Sequence, residues 1–251
     1  MKKKVFTLLF LLAIAAVLAS PALAASRAPL AVNLNIRDIM ASPQFSNSVQ
    51  LMLSLSLITL VPFFLVSVTS FLRIIIVFAL LRTAIGTQQV PPNSVLIGLA
   101  LFMTVFIMSP VWQDINKNAL EPYNAGKISQ AKAFDTGMKP LSQFMLRQTR
   151  EKDLGLFVQF AKIPIPKTPE EIPSYVLIPA FMISELKTAF QIGFLLFIPF
   201  IIIDLVVANI LLSLGMFMLS PVMVSLPFKI LLFVLVDGWN LITRGLLMSF
   251  K

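Results

Sequence analysis

The chain has 251 residues, of which 58% are hydrophobic, a formal net charge of +9, and neither cysteine nor histidine. That apolar share exceeds the roughly 45–50% of soluble domains. The missing residue types exclude a disulfide framework and the usual zinc and haem ligands. Several apolar runs approach the ~20 residues that cross a bilayer, so the composition predicts a polytopic, all-α integral membrane protein. Its basic balance then reads as membrane-side lysine and arginine rather than a nucleic-acid footprint.

The elements follow in chain order. Lys2, Lys3 and Lys4 form a basic start, Val5 to Leu18 is apolar, and Ala22-Leu23-Ala24 is a small-x-small site. This is the pattern of a secretory signal peptide, residues 1–24, cleaved after Ala24. Residues 25–48 are polar and read as an exported segment. Residues 49–111 read as a first helical hairpin. A continuous helix from Val49 to Ile85 would be ~55 Å long, well beyond a ~30 Å hydrocarbon core. It is therefore expected to break, near Pro62, or to project from the membrane. Arg73 and Arg82 are expected on one face, snorkelling to the cytoplasmic interface. Gly86 ends that helix, a tight connector follows, and Asn93 or Ser94 caps a second helix closing at Pro110.

Residues 112–178 are rich in charge and carry short amphipathic patterns, so they read as an exported, periplasmic helical segment. The signal peptide sets this side, and long loops cross regardless of charge. Residues 179–251 form a second hairpin turning at Ser220-Pro221, with Pro221 to Phe250 as its return.

Charges inside apolar runs are the chemically informative feature. Each costs roughly 2.5–3.5 kcal/mol or more at a bilayer centre, so it is expected to face a partner or a cavity. Glu185, Asp204, Lys229 and Asp237 are the residues concerned. Folding the second hairpin at Ser220-Pro221 places Asp204 and Asp237 at similar depth, as buried charges. Glu185 and Lys229 fall at different depths and would meet through a broken helix or a staggered neighbouring subunit. Met216, Phe217 and Met218 follow Gly215 beside the turn, and flexible thioethers suit irregular surfaces.

Two classes of function remain open on the residues alone. Either the charges lock subunits together, or the intramembrane carboxylates serve an ion-coupled secondary transporter. An aspartyl-type intramembrane enzyme is a third class, but the runs around Asp204 and Asp237 do not read as proteolytic.

Four runs carry a resemblance. They are LRIIIVFALLRTAIGTQQVPPNSVLIGLALFMT (Leu72–Thr104), PAFMISELKTAFQIGF (Pro179–Phe194), PFIIIDLVVANILLSLGMFMLSP (Pro199–Pro221) and PFKILLFVLVDGW (Pro227–Trp239). The chain resembles the FliP/SctR family of type III secretion export-gate proteins, and the signal peptide favours the flagellar branch. The resemblance implies helical hairpins with an inserted exported helical segment, assembling into a staggered ring, a homo-oligomer of pentameric order, with FliR and FliQ. FlhA and FlhB would lie nearby at the flagellar basal body in the inner (cell) membrane. Unfolded flagellar subunits would thread the ring, and no enzyme activity or cofactor is implied. A methionine-rich constriction falls at Met216–Met218, with Phe217 departing from the family pattern. The staggered ring also supplies the offset neighbour for an inter-subunit salt bridge between Glu185 and Lys229.

Overall fold

A computed structural model describes residues 62–161 and 171–250, together with Met52, Leu55, Ser56, Thr59, Leu60, Ile163 and Thr168. The chain divides into two compact units, Met1–Leu55 and Ser56–Lys251, and the second contains the helical core. The expected signal peptide, its cleavage after Ala24 and the exported segment 25–48 lie outside the described residues.

The described residues are helical and contain no strand. Helix α1, Pro62–Val68, meets α2, Phe71–Ile85, at 86°. The break thus falls at Thr69-Ser70. Local chemistry explains the site. The Ser67 hydroxyl donates to Phe63 O at 2.7 Å, Thr69 Oγ1 donates to Leu65 O, and Thr69 Oγ1 accepts from Phe71 N at 3.3 Å. Hydroxyls that satisfy backbone groups in this way compete with the helical ladder. Gly86 closes α2 at φ 88°, a left-handed conformation glycine adopts without a Cβ penalty.

Helix α3, Asn93–Ile115, passes through Pro110, continues through a π-helical turn, Asn116–Leu120, and ends in α4, Glu121–Asn124. The expected stop at Pro110 is therefore wrong. Pro110 stands on an exposed face, where the missing N–H leaves a carbonyl that need not be buried. Asn93 does not cap α3 with its side chain. Its Oδ1 instead accepts from Arg82 Nη1 at 2.7 Å, which with Arg82 to Pro91 O at 3.2 Å pins the connector.

Two amphipathic helices form the inserted segment. They are α5, Gln130–Gln148, capped by Ser129 accepting from Lys132 N, and α6, Glu151–Ala161. Helix α7, Ser174–Ser213, runs 40 residues through Pro179 and Pro199, about 60 Å at 1.5 Å per residue. A loop leads into α8, Pro221–Leu235, which meets α9, Gly238–Met248, at 64°. The return from Pro221 to Phe250 is thus made of two helices. The return breaks because Asp237 takes φ 49°. Gly238 follows, where an added Cβ would lie 2.2 Å from the Phe233 ring.

Helix α2 is the centre of the unit. Its Ile74, Val77, Phe78 and Leu81 are fully or almost fully buried against α3, α7 and α9. Gly193 of α7 makes the close approach to α2, since a Cβ there would meet Leu80 Cδ1 at 2.2 Å. A smaller core joins Met145 of α5 to Leu177 and Phe181 of α7. Helices α3 with its extension and α7 are long and apolar enough to cross a membrane, and the two bent pairs raise that number from two to four if each is one span.

Candidate functional site

Glu185 lies in the first third of α7 with no solvent exposure, and α2 brings Arg73 to it. Arg73 Nε donates to Glu185 Oε2 at 2.9 Å, and Nη2 donates to Oε1. The remaining N–H groups reach Gln148 Oε1 at the end of α5 and both the carbonyl and the hydroxyl oxygen of Ser249, each at 2.9 Å. A guanidinium has five N–H donors, and all are used. The Phe250 ring lies 3.9 Å from Arg73 Cζ and stacks on Phe144, a cation–π contact of about 0.5–2 kcal/mol. One buried side chain therefore ties α2, α5, α7 and the segment after α9. Arg73 does not snorkel. Its position in the first turn of α2, with a carboxylate opposite, favours pairing over solvation.

A second pair lies toward the other end of α2. Lys229 of α8, with its side chain only 4% exposed, places Nζ 2.6 Å from Asp204 Oδ2 of α7. Ser225, one turn before Lys229, donates to Asp204 Oδ1, and Lys229 Nζ also reaches Ala84 O at 3.5 Å. Serine and lysine four apart share a helix face, so one carboxylate clamps α8 to α7. The subunit does not bring Glu185 and Lys229 together, because each is engaged by another partner in the same chain. Asp204 and Asp237 do not meet either. Asp204 is partly buried, whereas Asp237 is exposed at the α8–α9 break.

A third cluster holds α6 on α7. Ser184 donates to the buried Asp153 at 2.8 Å and accepts from Arg150 N at 3.1 Å, while Arg150 reaches Thr188 and Gln191. Lys187 is half exposed and 4.0 Å from Asp153, too loose to add much. Sequence reasoning took Arg73 for a snorkelling residue and missed Gln148, Asp153 and Ser249. Arg73 was findable, since it interrupts an apolar run just as Glu185 does. The others are polar residues at helix ends, without such a signal.

Met216, Phe217 and Met218 stand on the loop between α7 and α8, and Met218 is fully exposed. The loop leaves α7 through a Schellman closure. Gly215 has φ 73°, its N–H donates to Leu212 O at 3.0 Å, and Met216 N donates to Leu211 O at 2.9 Å. Large apolar side chains also stand exposed along α3 and α7, among them Phe102, Phe106, Phe194, Leu195 and Leu205. Patches of that kind mark membrane or protein contacts.

Paired charges inside a helical unit, apolar side chains outside it and an exposed methionine loop define an all-helical, membrane-directed protein. The FliP family model matches residues 54–246. Three relatives are each a flagellar biosynthetic protein FliP. That of Bacillus subtilis is 53% identical over 86% of this chain and 98% of its own length. That of Pectobacterium carotovorum is 55% identical over 81% and 79%, and that of Aquifex aeolicus 51% identical over 82% and 87%. The chain belongs to the FliP family.

Proposed function

We propose that this chain, as a component of the flagellar export apparatus, is a pore-forming subunit of the flagellar type III protein export gate in the inner membrane. The observation that supports this most is the loop Gly215–Ser220. It presents Met216, Phe217 and Met218 to solvent at the tip of a hairpin clamped below by Asp204, Ser225 and Lys229. A rigid hairpin carrying soft, polarizable side chains at its tip suits a seal that closes to ions and yields to an unfolded chain. Exposed apolar faces on α3 and α7 would bury against copies of the subunit and against FliR-like and FliQ-like chains. The inserted helices α5 and α6 would lie on the periplasmic side.

An inter-subunit Glu185–Lys229 bridge belongs to this reading only as an exchange, because both side chains have partners within the subunit. Alanine at Met216, Phe217 and Met218 together is expected to raise ion leakage through the assembled gate while complex yield stays unchanged. Parental leakage in a complex of normal composition would refute the seal.

A further inference from the structure

Helix α9 is attached unevenly. At its start, Trp239 packs edge-on against Phe233 and Phe78, with centroids 5.4 and 6.3 Å apart. Ile242 and Leu246 enter the core. Past its end, Ser249 and Phe250 are held by Arg73. Between α9 and α3 lies a groove of about 1080 Å³, lined by Leu99, Phe106 and Ile107 on one wall and by Asp237, Arg244 and Leu247 on the other. No described side chain fills it.

The joint at the start of α9 is a break in the helical backbone ladder. Val236 N and Asp237 N close α8 on Leu232 O and Val234 O, while Leu241 N opens α9 on Asp237 O. No side chain caps α9, and Asp237 holds a left-handed conformation that non-glycine residues visit only as single positions. An 11-residue helix is ~16 Å long, so a rotation of ~10° at this joint displaces its far end by ~3 Å.

We propose that Arg73 is a positioning residue for α9. By gripping Ser249 and Phe250 it sets the angle of α9 at the Val236–Gly238 joint, and with it the width of the α3–α9 groove. The chemistry requires arginine. Only a planar fork can hold Glu185 with Nε and Nη2, Ser249 with Nη1 and Gln148 with the remaining N–H, while its Cζ stands over the Phe250 ring. Lysine at this position keeps the charge opposite Glu185 but has three donors and no flat face.

The chain lacks cysteine, so paired cysteines introduced for spin labels are unique. In the full chain in detergent, labels at Phe102→Cys and Met248→Cys read across the groove by pulsed dipolar spectroscopy. Labels at Thr83→Cys and Phe194→Cys, on α2 and α7, serve as the control. The variant Ser249→Gly/Phe250→Ala removes the hydroxyl and the ring but leaves the Arg73–Glu185 pair intact. It is expected to shift the groove distance by several Å or at least double its spread, with the control pair unchanged. Arg73→Lys is expected to do the same. A groove distribution matching the parent in Ser249→Gly/Phe250→Ala overturns the proposal. So does equal broadening of both pairs, which would make the contact one of general folding.

Discussion

Lys229 is buried, and its Nζ lies 2.6 Å from Asp204 Oδ2, whose side chain keeps 28% of its exposure. The two partners are therefore unequal, and so are the consequences of removing either. Asp204→Ala leaves a buried ammonium with only the Ala84 carbonyl at 3.5 Å. Breaking a buried pair from one side costs about 3–5 kcal/mol, and this variant is expected at the upper end. Lys229→Met leaves Asp204 partly solvated and still bonded to Ser225, so the loss should fall near or below the lower end. Thermal unfolding of both variants in detergent checks the order. Equal losses would show that the pair is not asymmetrically buried in the working protein.

Charge exchange separates pairing within the subunit from pairing between subunits. Lys229→Glu should prevent stable folding, and Asp204→Lys should restore it in part, since these two side chains face each other. Glu185→Lys should not restore it, because it sets a second cation against Arg73 inside a site with no solvent. Membrane abundance and complex size of the single and double variants provide the measurement. Recovery by Glu185→Lys, and not by Asp204→Lys, would place the bridge between neighbouring subunits.

Much of the helical framework is legible in the sequence because apolar length and proline or glycine punctuation are local signals. Gly86 ends α2 and Ser220-Pro221 begins α8 where expected. The errors share a cause. Residue type alone marks Pro110 as a breaker, yet it sits inside α3. The actual breaks, at Thr69-Ser70 and Asp237, arise from hydroxyl-to-carbonyl bonds and one left-handed residue. Sequence marks such places weakly. Charge partners are less legible still. Arg73 and Glu185 are 112 positions apart, and only the packing of α2 on α7 selects them over Glu185 and Lys229.

Two glycines offer the same nominal 2.2 Å clash but different neighbours. At Gly193 the obstructing atom is the end of the partly exposed Leu80 side chain, which can rotate away. At Gly238 it is the Phe233 ring, buried and held edge-on by Trp239. Gly193→Ala is expected to cost about 1–2 kcal/mol, within the range for overpacking, and to be relieved by Leu80→Ala. Gly238→Ala should cost more than Gly193→Ala, and no single substitution at Leu80 should relieve it. Midpoints of thermal unfolding for these variants test the ranking. A tolerant Gly238→Ala would mean that the Phe233–Trp239 contact is looser than its geometry.

Gly215 connects fold to function most directly, because it sets the direction in which Met216, Phe217 and Met218 leave α7. No atom lies within 4 Å of a Cβ added there, so a substitution acts through the backbone alone. A left-handed residue with a Cβ costs roughly 1–2 kcal/mol, and asparagine is among the residues that tolerate it. Gly215→Asn should therefore leave the ion tightness of the assembled gate near the parent. Gly215→Val, β-branched and excluded from this conformation, should unwind the Schellman closure and raise leakage toward that of the triple alanine variant. Conductance of the purified complex in planar bilayers gives the comparison. If Gly215→Val is as tight as the parent while the triple alanine variant leaks, the side chains seal wherever the loop points. If neither leaks, the constriction lies elsewhere in the assembly.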